Sequence, residues 1–88
     1  MHPLDDLGPQ ELAVLEVLLE AGGRVVSRSE LNRRAGLAGA SARRCEALLV
    51  SVRRALGPNV VVNVRGRGWR LDGAAFEVLE RERHRRTA

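Results

Sequence analysis

Between Cys45 and Leu71 the hydrophobic period of the chain changes once, and that switch does most to limit the fold. Cys45, Leu48, Leu49, Val52 and Leu56 recur at i, i+3, i+4, i+7 and i+11, the stripe of a helix with one apolar face. Gly57-Pro58-Asn59 then stops the helix and turns the chain. Val60-Val61-Val62-Asn63-Val64 is β-branched and reads as a strand. Arg65-Gly66-Arg67-Gly68 has turn chemistry, with Gly66 able to take the positive φ of a two-residue hairpin, and Trp69-Arg70-Leu71 returns as partner strand. Opposite its apolar stripe the helix presents Arg43, Ala47, Val50 and Arg54, with Arg44 and Ser51 beside them.

Upstream, Gly8-Pro9 opens another helical pattern: a tolerated N-cap, then proline at the first helical position, where its missing N–H is not needed. Leu12, Leu15, Leu18 and Leu19, joined by Val14, keep helical spacing up to Gly22-Gly23, which predicts a helix over 9–21. Arg24-Val25-Val26 reads as a short extended piece. Ser27-Arg28-Ser29-Glu30 has the S-x-x-E spacing of a capping box, so a short helix over 28–35 is expected, ended by Gly36. A Gly/Ala connection leads to Ser41, the expected N-cap of the third helix, 42–56. After Leu71, Phe76, Val78 and Leu79 among alternating Glu and Arg suggest a short C-terminal helix, fraying from His84. The expected class is α+β, mainly helical. A three-helix core with a C-terminal β-hairpin wing, a winged helix-turn-helix, occupies 1–72, and 73–88 is a helical extension or tail.

The 88 residues leave room for one domain. With 44% apolar and 30% charged residues, the chain suits a packed core and neither a disordered nor a collagenous one. No apolar run approaches the roughly 18 residues of a membrane span, and Met1-His2-Pro3 opens no secretory signal, so a soluble cytoplasmic protein is expected. One cysteine excludes an internal disulfide; with two distant histidines it makes no metal pattern, and no cofactor is expected. Without clustered carboxylates or a nucleophile–base pair, the chain does not read as an enzyme. Charge is unevenly placed. Residues 1–40 hold four Arg and six acidic side chains, whereas 41–88 hold eleven and five. There is no lysine, and arginine offers a rigid donor fork that fits phosphate oxygens and guanine edges. A positive half on a small domain is the footprint of a polyanion binder.

Three blocks in order carry a family resemblance. Leu7-x-Pro9-x-Glu11-x-x-Val14-Leu15-x-x-Leu18, followed by Gly23-Arg24-Val25-Val26-Ser27-Arg28-x-Glu30-Leu31, resembles the opening of the OmpR/PhoB-type winged-helix domain. Arg43-x-Cys45-Glu46-Ala47-Leu48-Leu49-x-x-Val52-Arg53-Arg54-x-Leu56-Gly57 is similar to its recognition helix, and Val64-Arg65-Gly66-Arg67-Gly68-Trp69-Arg70-Leu71 to its wing. The resemblance implies a bacterial transcription regulator that binds double-stranded DNA, or the isolated output domain of one. The third helix would enter the major groove and the wing arginine the minor groove. Arg43, Arg44, Ala47, Ser51, Arg53 and Arg54 then become groove or phosphate candidates, Arg65 and Arg67 minor-groove candidates, and Asn63 and Trp69 backbone contacts. RNA polymerase, a fused or partner regulatory domain, and a second copy on DNA are further partners it implies.

The chain departs from the family pattern in places. Leu48 stands where the family commonly has histidine, Gly8 replaces a capping threonine, and Gly36 sits at a tryptophan position. The loop between helices two and three, which contacts RNA polymerase in the family, is shorter. The family's N-terminal four-stranded sheet and a receiver domain are not expected here.

Other readings of the same residues stay open. The apolar Ala47–Val50 stripe would also suit a winged helix repurposed for protein–protein contacts. Cys45 reads as a small core residue, Trp69 as hairpin packing as well as a phosphate contact, and Glu46 as a surface ion pair with Arg43, Arg53 or Arg54. Arg65 could pair with Glu46 instead of entering a groove. Gly66-x-Gly68 opens no helix and is no nucleotide fingerprint. Arg81, Arg83, Arg85 and Arg86 alternate with glutamates as a solvated face.

Overall fold

The computed structural model describes residues 3–37, 39 and 42–87; the expected N-cap Ser41 lies outside them. A 3-10 turn over Pro3–Asp6 leads into α1 (Pro9–Glu20), α2 (Arg28–Arg34), α3 (Ala42–Leu56), β1 (Val61–Val64), β2 (Gly68–Leu71) and α4 (Gly73–Thr87).

Each boundary has a local cause. At the start of α1 the Gly8 N–H donates to Glu11 Oε1 at 2.6 Å, so the glutamate satisfies a donor that the helix leaves orphaned. Ser27 Oγ accepts from the Glu30 N–H at 3.2 Å and caps α2. The expected reciprocal half of that capping box is replaced: the Glu30 carboxylate pairs with Arg34 at 2.9 Å and faces Arg24 at 4.0 Å. α2 ends where Gly36 takes φ +77° and the Leu37 N–H reaches back to the Asn32 carbonyl at 2.7 Å. That bond spans six residues and tucks the buried Leu37 under the helix end.

The core is aliphatic. Val14, Leu15 and Leu18 of α1 meet Leu31 of α2 and Cys45, Leu49 and Val52 of α3, and Val26, Val61, Trp69 and Leu71 close it from the hairpin side. Among the described residues no polar or charged residue is buried as a whole. Leu4, on the N-terminal turn, is also buried and packs with this core, a contribution the helical pattern did not announce.

β1 and β2 pair antiparallel in the register Val61↔Leu71, Val62↔Arg70, Asn63↔Trp69 and Val64↔Gly68. The loop holds three residues, Arg65, Gly66 and Arg67, rather than the expected two, because β2 starts at Gly68. The Arg67 N–H closes it onto the Val64 carbonyl at 2.9 Å, with Gly66 at φ +77°. Val26 adds a single bridge on the outer edge of β2, opposite Trp69.

The C-terminal helix is longer than expected. Asp72 Oδ2 accepts from the Ala75 N–H at 3.2 Å, which starts α4 at Gly73, and the helix runs through His84 to Thr87. Ion pairs of Glu80 with Arg83 and of Glu82 with Arg85, and a contact of His84 Nε2 with Glu80 at 3.2 Å, line its second half. Leu79 is buried and Phe76 packs beside it, so α4 shares the core of the winged helix.

Candidate nucleic-acid interface

Burial of Cys45, Leu48, Leu49 and Val52 fixes the rotation of α3 about its axis. Arg43, Ala47, Val50 and Arg54 are thereby left exposed in one stripe. Eleven residues at about 1.5 Å each set the two arginines roughly 16 Å apart along the axis. Val50 between them is 44% exposed. Among the described residues neither Arg43 nor Arg54 has an ion-pair or hydrogen-bond partner.

The two edges of this stripe are held by neighbours. On one edge the Arg44 guanidinium donates to Gln10 Oε1 at the start of α1, and Ser51 is half-buried. On the other edge Arg53 donates from Nε and Nη2 to the Val61 carbonyl at 3.2 and 2.9 Å. That fork ties the end of α3 to the first residue of β1, so the half-buried Arg53 faces the wing root. Glu46, on the same edge, pairs with Arg28 of α2 at 2.5 Å, not with the expected Arg43, Arg53 or Arg54.

Arg28 is the residue that joins the elements. Besides Glu46, its guanidinium stands 5.6 Å from the centroid of the Trp69 ring, a cation–π distance. One side chain thus touches α2, α3 and β2. Trp69 is only 5% exposed and packs into the core, so its ring seats the wing from beneath. Arg65 and Arg67 are exposed at the hairpin tip and, among the described residues, their guanidinium groups have no carboxylate or hydrogen-bond partner. Asn63 is exposed on β1. It faces a 520 Å³ cleft shared by the wing residues Arg67 and Trp69 with Ser27, Arg28 and Asn32 of the facing segment. Asn32 also has a buried side-chain oxygen without a hydrogen-bond partner.

The cleft residues of α2 were not singled out by sequence. An arginine one place after an N-cap serine looks like ordinary first-turn surface, and no spacing rule links it to a distant tryptophan. Burial pushes the Cys45 thiol above its usual value, with the Arg28 charge opposing more weakly. Among the described residues no group of His, Cys, Asp or Glu could hold a metal ion, and no helix is long and apolar enough to cross a membrane.

No protein-family profile matches the chain, and no curated protein matches it. Among solved structures, the chain is similar to the DNA-binding domain of the response regulator AdeR, solved in complex with an intercistronic region. The likeness has a TM-score of 0.68 at 26% identity and covers 75% of this chain and 71% of that one. Motif order, the antiparallel hairpin and the structural neighbour agree: the chain has a winged helix-turn-helix fold similar to that DNA-binding domain.

Proposed function

We propose that the chain binds double-stranded DNA as a transcription regulator or as the output domain of one, with α3 in the major groove and Arg65 and Arg67 in the minor groove. One observation carries this reading. Four exposed arginines, Arg43 and Arg54 on α3 and Arg65 and Arg67 on the wing, lack protein partners among the described residues, and Arg28 ties the two elements together. Unpaired guanidinium groups on rigid supports are what phosphate neutralisation requires. The complex of the AdeR domain with an intercistronic region supports the same reading. Arg44 and Asn63 add backbone contacts at the edges, and Ala47 and Ser51 face the bases. The inward-held Arg53 and Trp69 contribute mainly by fixing the angle between helix and wing. RNA polymerase, a regulatory domain and a second copy on DNA follow from the family resemblance alone.

The test compares duplexes flanked by A·T tracts with duplexes flanked by G·C. A narrow A·T-rich minor groove concentrates negative potential and suits a guanidinium at a narrow tip. Arg65→Ala weakens binding by roughly 1–3 kcal/mol and removes the A·T preference. If the variant changes neither quantity, the wing is outside the groove, and the exposed Ala47–Val50 stripe favours a protein-contact module instead.

A further inference from the structure

We infer that Val50 reads the C5-methyl group of a thymine in the major groove, which makes it a specificity-determining residue; the inference rests on the DNA-binding reading above. Along the exposed stripe of α3, Arg43, Ala47, Val50 and Arg54, the side chains that can hydrogen-bond stand only at the ends, with Arg44 and Ser51 off to one edge. Between them Ala47 and Val50 can neither donate nor accept through their side chains. Val50 is one of two large hydrophobic side chains exposed among the described residues, and it stands between the unpartnered guanidinium groups of Arg43 and Arg54, about one turn from Arg54 and two from Arg43. Arginines that hold the helix against a polyanion also press whatever lies between them onto it.

The occupant of that position has to be apolar and has to sit in a strongly anionic setting. The major-groove edge of duplex DNA offers one apolar group that protrudes, the thymine methyl; the donors and acceptors around it are polar, and the cytosine C5–H at the same position is a flat edge with no methyl carbon to contact. A protein partner fits less well. The apolar stripe is two side chains wide, far below the roughly 1,000 Å² that a specific protein interface needs, and its flanks are positive.

The experiment starts from 24-base-pair duplexes selected by the wild-type chain from a random pool. Each thymine of the best duplex is replaced singly by deoxyuridine, which keeps all hydrogen bonds and loses only the methyl. Removing one buried methyl corresponds to about a fourfold loss of affinity. The expected result is such a loss at one or two central positions with wild type, and a loss below about twofold at the same positions with Val50→Ala. Val50 is exposed, so the variant keeps its fold, checked by its thermal midpoint. Salt-sensitive binding with no uracil effect anywhere overturns the inference and leaves DNA binding standing. A selection without any preferred sequence, or a uracil effect undiminished in Val50→Ala, overturns it equally. Absence of duplex binding at every salt concentration overturns the DNA-binding reading itself.

Discussion

Replacing Gly68 by alanine should detach the wing from the body of the domain. A Cβ at this position would stand 2.0 Å from the Val26 carbonyl oxygen, 2.7 Å from its carbon and 2.9 Å from Ser27 Cα. All three are backbone atoms, so no side-chain rotation relieves the clash. The 26–27 segment must move off β2. That movement breaks the Val26 N–H bond to the Trp69 carbonyl (2.7 Å) and the Trp69 N–H bond to the Val26 carbonyl (2.9 Å). Each bond contributes about 1 kcal/mol. A non-glycine residue at φ +143° adds about 1–3 kcal/mol of backbone strain. The sum is about 3–5 kcal/mol, and at 4–8 °C per kcal/mol for a domain of this size the midpoint falls by about 12–40 °C. Gly66→Ala is the control: φ is +77°, but nothing lies within 4 Å of the added Cβ. It should cost about 1 kcal/mol and roughly 4–8 °C. Thermal melts followed by circular dichroism measure both. Equal losses for the two variants, or a Gly68→Ala midpoint within a few degrees of wild type, would refute the close-approach argument.

Two further outcomes follow from the core. Leu49 is 2% exposed where α3 packs on α1, and Leu49→Ala should destabilise the domain by about 2–5 kcal/mol in urea titration; a loss below about 1 kcal/mol would mean that α3 is rotated otherwise. The Cys45 thiol is raised by burial, so its neutral form stabilises the fold fully below the unfolded-state value, and that contribution is lost as pH climbs through the raised folded value. The urea midpoint should therefore decline from about pH 9 upward, and Cys45→Ala should flatten that decline.

Helix α3 and the hairpin were legible in the sequence because their signals are local. A stripe from Cys45 to Leu56 and a β-branched run before a glycine turn need no distant partner to be recognised. What stayed hidden depends on tertiary contact. Glu46 has three arginines within a turn or two on its own helix, yet pairs with Arg28 because α2 packs against that edge. Arg53 looked like its neighbour Arg54, but one step of 100° turns it to the Val61 carbonyl. Leu4 and the full length of α4 escaped for a similar reason. Charged, weakly amphipathic segments gain their order from Glu80 and Glu82 ion pairs and from burying Leu79 or Leu4 on a core already formed.

In the proposed complex the partner-free arginines on α3 and the wing hold DNA through its phosphates. Fluorescence anisotropy of a labelled duplex, titrated over a series of salt concentrations, tests it most directly. Neutralising four to six phosphates predicts a log–log slope of about −4 to −5, and Arg54→Ala should bring it nearer zero by about one while weakening all sequences alike. An affinity that does not change between low and moderate salt would contradict the claim.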